Sequence, residues 1–303
     1  MTQLLWKGVY PAVTTQFSVD GSIDLAATGK VMQSLVADGV DGLIVLGTCG
    51  ENNSLTAEEK RSVLQLAVSS VGDKVPLIAG VSEFTTARAM EYARDAEQIG
   101  LDGLMALPAM VYVPTAEELF VHFNGIAQET SLPIMLYNNP PAYRVNIDFA
   151  TLDRIKDVPN IVALKESSPD PRRITDILNR YGDRFTIMAG LDDVALEGLF
   201  LGATGWVSGL TSAFPQESVA LVRAVDRRDW DEARRIYRWF MPLLHLDAEH
   251  DLVQSIKLAE QCMGRGSERV RLPRLPLSGA RRQEVIAMVA QAAATRPVGV
   301  KVT

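Results

Sequence analysis

The sequence predicts a (β/α)8 barrel followed by a C-terminal helical extension. Short runs rich in Val, Ile, Leu and Met recur along the chain, and they lack the polar alternation of a half-exposed strand. Amphipathic segments separate these runs. Eight runs are visible, at residues 8–15, 41–46, 75–80, 102–107, 132–137, 160–165, 184–189 and 204–208. Eight strand-helix units at this spacing indicate an α/β barrel of parallel strands.

The segments between the runs carry helix signals. Thr56 with Glu59, and Thr115 with Glu118, each fit the Thr-x-x-Glu capping box, which satisfies free backbone donors at a helix start. A doubly wound open sheet is the alternative architecture. The glycine-rich dinucleotide fingerprint that such a sheet usually carries after its first strand is missing from this sequence.

The barrel is predicted to need only residues 1–225, and residues 226–303 are predicted to form helices packed on it. The joint at 226–229 is charged but poor in Gly, Pro and Ser, which argues against a free linker. Helical patterns cover 252–263 and 280–294. The first extra helix has an apolar stripe made of Trp230, Ala233, Ile236, Tyr237 and Phe240.

The composition leads us to expect a soluble, cytoplasmic protein that binds neither membrane nor nucleic acid. A net charge of −7 and a pI near 5.1 provide no dense basic stripe to neutralise phosphates. No window approaches the roughly 18 uninterrupted apolar residues of a membrane span. The two cysteines, Cys49 and Cys262, exclude a disulfide scaffold, and with only three histidines we expect no metal site.

Lys165 is the first candidate for catalysis. In a barrel of this kind the active site lies at the carboxyl ends of the strands, and Lys165 ends the apolar run 160–165. Burial disfavours the charged form of a lysine and frees its amine to attack a carbonyl, which is the basis of imine catalysis. The alternative is a lysine that extends along the strand end to reach solvent.

Four other predicted strand ends carry polar residues or glycines. The Gly47–Gly50 loop can present backbone N–H groups and the Thr48 hydroxyl to a carboxylate, although a tight turn would explain its glycines equally. Tyr137 would set a phenol near Lys165 for proton relay, unless it is a core tyrosine. The predicted substrate-binding residues are Gly47, Cys49, Gly50, Asn139, Gly190 and Ser208.

Taken in order, these strand ends resemble those of the dihydrodipicolinate synthase and N-acetylneuraminate lyase superfamily, over essentially the whole chain. The matching pieces are Gly47-Thr48-Cys49-Gly50-Glu51, Tyr137-Asn138-x-Pro140 and Ala163-Leu164-Lys165-Glu166. The resemblance implies that Lys165 forms an imine with the keto carbon of a 2-oxo acid, that Tyr137 shuttles protons, and that the Gly-Thr loop holds the substrate carboxylate. It also implies a homotetramer in which Tyr112 reaches into the neighbouring subunit's site.

Two departures from the family pattern argue against the synthase activity. Cys49 replaces the second hydroxyl of the loop, which weakens the proton relay. The arginine by which the synthase grips the carboxylate of its semialdehyde would sit at Ala142. Arg144 is two residues further along and can point elsewhere.

The stretches 108–112, 166–168 and 242–247 are most similar to 1-pyrroline-4-hydroxy-2-carboxylate deaminases. In that reaction Lys165 would attack C2 of the cyclic imine, and ring opening would leave an imine that acidifies the C3 protons and permits loss of the C4 hydroxyl. Hydrolysis would release ammonia and 2-oxoglutarate semialdehyde. No metal or organic cofactor is expected, since the protonated imine is the electron sink. A pyruvate-dependent aldolase or dehydratase acting on a 2-keto-3-deoxy sugar acid is the alternative.

Two hypotheses from other classes are weaker. A barrel for sugar phosphates would need a phosphate site after the seventh and eighth strands, where Asp192 and Asp193 would instead repel phosphate. A binding barrel without catalysis should have lost the strand-end lysine, and this chain keeps Lys165.

Overall fold

Eight parallel strands form the centre of the molecule. The structure is a computed structural model, and it describes residues 6–109 and 112–297. The strands are β1 (Gly8–Pro11), β2 (Leu43–Val45), β3 (Leu77–Val81), β4 (Gly103–Ala106), β5 (Ile134–Asn138), β6 (Ile161–Glu166), β7 (Thr186–Ala189) and β8 (Gly205–Ser208). Each strand lies inside a predicted apolar run or extends at most one residue beyond its end. Met110 and Val111, in one of the stretches that resemble the deaminases, lie outside the described residues.

The sheet closes on itself. Each strand pairs in parallel with its neighbours in the order β1-β8-β7-β6-β5-β4-β3-β2. The two remaining edges meet just beyond β1, where Ala12 bridges Ile44 in parallel and Val13 N donates to Ile44 O at 2.9 Å. The barrel predicted from the sequence is therefore confirmed.

The strand side chains alternate between two apolar layers. Every strand contributes at least one residue to an inner cluster that fills the barrel, while the intervening residues pack against the surrounding helices. The inner cluster contains Tyr10, Ile44, Ile78, Met105, Met135, Ala163, Met188 and Val207. This two-residue period decides which strand-end side chains face the interior.

Nine helices of the described chain follow the strands or accompany them. They are α1 (Leu25–Ala37), α2 (Ala57–Val71), α3 (Thr86–Ile99), α4 (Ala116–Gln128), α5 (Pro140–Tyr143), α6 (Phe149–Ile155), α7 (Arg172–Tyr181), α8 (Ala195–Phe200) and α9 (Pro215–Asp226). Both predicted capping boxes are present, at Thr56 with Glu59 and at Thr115 with Glu118. The one-turn helix α5 was not predicted, and it lies directly after β5.

Three further helices follow, namely α10 (Trp230–Ala248), α11 (Leu252–Cys262) and α12 (Gly279–Ala294). Helix α10 packs on α9 and on the turn after β7, and α11 reaches the start of the chain through Lys257, whose Nζ donates to Thr15 O at 2.7 Å. These helices thus cover the barrel end at which β1 finishes. No helix within residues 6–109 and 112–297 is long and apolar enough to cross a membrane.

Candidate active site

Lys165 and Tyr137 lie side by side at the carboxyl end of the barrel. They are register partners on β6 and β5, and each lies two residues beyond a member of the inner cluster, so both face the interior. Lys165 is 5% exposed, and its Nζ lies 3.9 Å from the centroid of the Tyr137 ring. Among the described residues, no carboxylate oxygen lies within 4.0 Å of this Nζ. The amine is therefore buried against an aromatic ring and is not paired with an acid.

Gly190, after β7, makes room for the lysine side chain. A Cβ at this position would lie 2.6 Å from Lys165 Cγ, 2.8 Å from its Cε and 2.2 Å from Ser167 Oγ. Atoms do not approach this closely, so a larger residue would displace Lys165. The close approach of Lys165 explains why position 190 is a glycine. Contact of Gly190 with the substrate stays a prediction.

A buried carboxylate fixes the strand ends that carry these residues. Glu166 Oε1 accepts from Asn138 Nδ2 at 3.0 Å and from Ser168 N at 2.8 Å, and its Oε2 accepts from Arg173 Nε at 2.8 Å. Asn138 and Glu166 directly follow Tyr137 and Lys165 along their strands. The network therefore limits movement of the two reactive side chains.

The loop after β2 is shaped by close backbone approach. Its flanking residues Leu46 and Glu51 have φ angles of 58° and 55°. A Cβ at Gly50 would lie 2.8 Å from Leu46 Cα, and Thr15 Oγ1 donates to Gly50 O at 2.7 Å. Gly50 is thus required by packing. The half-buried Thr48 in this loop carries the hydroxyl that we predict to bind a carboxylate.

Tyr143 is a site residue that sequence reasoning missed. Its hydroxyl is hydrogen-bonded to Thr48 Oγ1, and its ring meets the Tyr137 ring edge-on, with centroids 5.6 Å apart and planes at 89°. Burial in the barrel mouth raises the pKa of Tyr143 well above its usual value, so the phenol keeps its proton. The sequence did contain a signal for this helix. Asn is a typical N-cap and Pro a typical first residue of a helix, which fits Asn139 and Pro140. A single helical turn from there returns position 143 toward the strand end.

Asn139 positions Tyr137. Its Oδ1 accepts from Ala142 N at 3.1 Å, which caps α5, and its Nδ2 donates to the Tyr137 hydroxyl at 2.9 Å. Both ends of the amide are therefore in use within the protein, and a contact with substrate stays a prediction. Burial raises the pKa of Tyr137, and the negative charge of Asp247 raises it further.

Ser208 is likewise engaged, with a buried carboxylate. Its Oγ donates to Asp192 Oδ2 at 3.0 Å, and the other oxygen of Asp192 accepts from Trp206 Nε1 at 2.9 Å. Leu210 N adds a donor at 3.1 Å. Burial, followed by the charge of Asp247, raises the pKa of Asp192 well above its usual range. Ser208 thus stabilises the turn after β8, and its binding to substrate stays a prediction.

Asp247, near the end of α10, brings a carboxylate to the same mouth. A Cβ at Gly209 would lie 2.5 Å from Asp247 Oδ1 and 3.2 Å from Cys49 Sγ, so both groups pack closely against this glycine. Burial raises the pKa of Asp247 to about 6, although the positive charge of Lys165 opposes this effect. Burial also raises the pKa of the Cys49 thiol, so Cys49 stays protonated. Asp247 lies in one of the stretches that resemble the deaminases, but no role was predicted for it from the sequence.

Two residues that the sequence singled out lie on the surface. Tyr112 is 56% exposed, and its hydroxyl donates to Glu118 Oε1 at 3.0 Å. Arg144 is exposed and has a left-handed φ of 58° at the end of α5. Ala142 is exposed as well. A role for Tyr112 in a neighbouring subunit therefore stays a prediction.

Comparison with known proteins identifies the family. The sequence model of the dihydrodipicolinate synthetase family matches residues 5–292. The chain belongs to the dihydrodipicolinate synthetase family. It is similar to the 4-hydroxy-tetrahydrodipicolinate synthase of Moorella thermoacetica, with 36% identity over 279 residues that cover 92% of this chain and 94% of the relative. The synthase of Koribacter versatilis is 32% identical over 287 residues, which cover 94% and 96% of the two chains.

Solved structures of the dihydrodipicolinate synthetase family match almost the whole chain. The dihydrodipicolinate synthase of Aquifex aeolicus has a TM-score of 0.91 at 30% identity and covers 95% of this chain and 98% of its own. A prophage protein of the family from E. coli K12, solved in complex with pyruvate, has a TM-score of 0.89 at 26% identity, with coverage of 96% and 99%. The superfamily membership predicted from the strand ends is confirmed, and the protein is a Schiff-base lyase of this family. These relatives do not carry the name of the deaminase that the sequence favours.

Proposed function

We propose that the protein converts 1-pyrroline-4-hydroxy-2-carboxylate to 2-oxoglutarate semialdehyde and ammonia through an imine on Lys165. The observation that carries this proposal is the presence of one carboxylate, and of no arginine in the synthase position, at the barrel mouth. The carboxylate of Asp247 shares the mouth with Lys165, and the position where the synthase would place an arginine is the exposed Ala142. Such a mouth suits a substrate with one carboxylate and a hydroxyl group.

Lys165 is suited to attack the electrophilic C2 atom. Its Nζ rests over the Tyr137 ring at 3.9 Å, and the aliphatic part of its side chain is held against Gly190. Because no described carboxylate oxygen lies within 4.0 Å of this Nζ, attack on C2 does not require an ion pair to be broken. Tyr137, whose phenol keeps its proton, can donate to the ring nitrogen as the C2–N bond breaks.

The substrate's single carboxylate has a partner in the loop after β2. Backbone N–H groups between Gly47 and Gly50 and the Thr48 hydroxyl can bind an anion without a guanidinium. A second substrate carboxylate would meet Asp247 instead. Burying a carboxylate without a partner costs several kcal/mol. This cost disfavours condensation with a semialdehyde, which is the reaction that the resemblance implies for the synthase.

The elimination step gives Asp247 a chemical role. After Lys165 has opened the ring, removal of a C3 proton yields an enamine that expels the C4 hydroxyl, and this group must accept a proton to leave as water. Asp247, with its pKa raised to about 6, can supply that proton. The double bond then moves to C4–C5, water adds to the resulting C5 imine, and ammonia leaves. Hydrolysis of the Lys165 imine releases the semialdehyde, so the whole reaction consumes one water and releases one ammonia.

A second candidate uses the same groups. The hydroxyls of a 2-keto-3-deoxy sugar acid could donate to Asp247 while its 2-oxo acid end reacted with Lys165, and a family relative binds pyruvate. This reading predicts release of pyruvate, or dehydration, without ammonia.

A substrate panel separates these functions. It contains the hydroxylated pyrroline carboxylate, pyruvate with aspartate semialdehyde, N-acetylneuraminate and a 2-keto-3-deoxy sugar acid, with ammonia, semialdehyde and pyruvate measured as products. We expect ammonia and 2-oxoglutarate semialdehyde in equal amounts from the pyrroline, and negligible condensation. Efficient cleavage of a sugar acid to pyruvate, with no ammonia from the pyrroline, would overturn the deaminase proposal.

A further inference from the structure

We propose that Tyr143 is the second proton-relaying tyrosine of the site, and that it comes from the same chain as Lys165. The resemblance to the superfamily implies a tyrosine from a neighbouring subunit, at Tyr112. The structure offers an alternative within the chain. The inference rests on imine formation at Lys165 and holds for any 2-oxo acid that the site accepts.

Three hydroxyl-bearing side chains adjoin one another in the site. Thr48 Oγ1 is hydrogen-bonded to the Tyr143 hydroxyl, and the Tyr143 ring meets the Tyr137 ring edge-on with centroids 5.6 Å apart. Tyr137 in turn lies beneath the Lys165 amine. Protons can therefore pass from the loop that we expect to hold the substrate carboxylate to the imine nitrogen, through side chains of one chain.

The hydrogen-bond donors at these side chains allow protons to be transferred in either direction. Asn139 Nδ2 donates to the Tyr137 hydroxyl at 2.9 Å, so the proton of Tyr137 is not used to satisfy Asn139. Between Thr48 and Tyr143 either hydroxyl can be the donor. Imine formation takes up a proton at one step and releases one at another, so a reversible relay is what the reaction requires.

The short helix α5 holds Tyr143 in place from both ends. Asn139 caps its start through Ala142 N, and Tyr143 N donates to Asn139 O at 3.0 Å. At the other end Arg144 takes a left-handed φ of 58°, and its N donates to Pro140 O at 2.9 Å. A one-turn helix fixed in this way sets the ring against Tyr137 without help from a second subunit.

Within one chain, Cys49 and Tyr112 are less suited to this role than Tyr143. Cys49 occupies the second hydroxyl position of the loop, but a thiol is a weak donor and burial raises its pKa. The Tyr112 hydroxyl is occupied by Glu118, and its side chain is exposed. Tyr143 is the tyrosine that the structure places against both Thr48 and Tyr137.

The test compares Tyr143→Phe with Tyr181→Phe, each of which removes one hydroxyl and keeps the ring. We expect Tyr143→Phe to lower kcat by roughly 10²-fold with little change in KM. Tyr181→Phe should leave both unchanged, because the Tyr181 hydroxyl lies on α7 and donates to Asp153 Oδ1 at 3.0 Å. Borohydride trapping of pyruvate should reach the same final labelling in Tyr143→Phe as in the parent protein, but more slowly. Thermal melting checks that both variants fold.

A double-mutant cycle tests whether Thr48 and Tyr143 act as one relay. Thr48→Val should slow labelling about as much as Tyr143→Phe, and the double variant should be little slower than either. Thr48→Ser should keep the parent rate. Normal turnover of Tyr143→Phe, or an equal loss in Tyr181→Phe, would overturn the proposal. If the parent protein takes up no label, imine formation itself is wrong; labelled parent protein that releases no ammonia contradicts only the deaminase reaction.

Discussion

The described part of the chain buries three lysines, Lys60, Lys165 and Lys257, and the last two are treated in opposite ways. Lys257, on α11, is fully buried, and its Nζ donates to Thr15 O at 2.7 Å and to Glu51 Oε1 at 2.9 Å. Lys165, on β6, is 5% exposed and has its Nζ 3.9 Å from the Tyr137 ring centroid, with no described carboxylate oxygen within 4.0 Å. Lys257 therefore forms an ion pair with Glu51, whereas Lys165 has no ion-pair partner among the described residues and can react with a substrate.

The difference separates structural burial from functional burial. Burial lowers the pKa of Lys257, and the charge and hydrogen bond of Glu51 oppose this, which keeps an ion pair in the interior. Glu51 Oε2 also accepts from Arg271 N at 3.0 Å. This pair therefore ties the C-terminal region to the residue that directly follows the Gly47–Gly50 loop.

The largest effect is expected from Lys165→Ala. Removing the nucleophile should lower turnover by several orders of magnitude. The melting temperature should stay near that of the parent protein, because no ion pair is broken. Steady-state kinetics and thermal melting measure the two effects, and near-normal turnover would refute the assignment of Lys165.

Lys257→Met should show the reverse pattern. It leaves Glu51 buried without its main partner, and we expect a loss of about 3 kcal/mol in the free energy of unfolding. Denaturant titration measures this loss. Lys257→Met combined with Glu51→Gln should recover part of it, because the orphaned charge is removed as well. A Lys257→Met protein as stable as the parent would show that the ion pair does not hold the two regions together.

A smaller effect is expected from Asp247→Asn. The pKa of Asp247 is raised to about 6, so the protonated acid is lost as the pH rises through that value. Turnover of the pyrroline should therefore fall with rising pH around 6, and Asp247→Asn should lower kcat by roughly 10²-fold and abolish this limb. Asp193→Asn is the matched comparison, since that carboxylate pairs with His245 at 2.9 Å. It should keep the limb and move it to lower pH, because the charge of Asp193 contributes to the raised pKa of Asp247. A pH limb that persists in Asp247→Asn would contradict the acid role.

The sequence predicted the features that depend on local pattern. The apolar runs located all eight strands, and the two-residue period of β5 and β6 explains why Lys165 and Tyr137 face inward together. Tyr143 was missed because a one-turn helix returns it to the strand end, and no apolar period marks so short an element. Lys257 was missed because a lysine within an amphipathic helix normally lies on the exposed face.

Asp247 shows a different limit of sequence reasoning. It is far from Lys165 along the chain, and only the packing of α10 on the barrel brings its carboxylate toward Gly209 and Cys49. Likewise, Ser208 was correctly placed at a strand end, but its hydrogen bond with Asp192, 16 residues earlier, depends on tertiary structure. Strand ends can be located from the sequence, whereas their partners cannot.

The central claim is that Lys165, and not Lys257, is the reactive buried lysine. The most direct test is mass spectrometry of the protein after incubation with pyruvate and borohydride, followed by peptide mapping. We expect one reduced pyruvate adduct per chain, on the peptide that contains Lys165. The Lys257 peptide should stay unmodified and serves as an internal control. An adduct on any other lysine, or no adduct at all, would contradict the central claim.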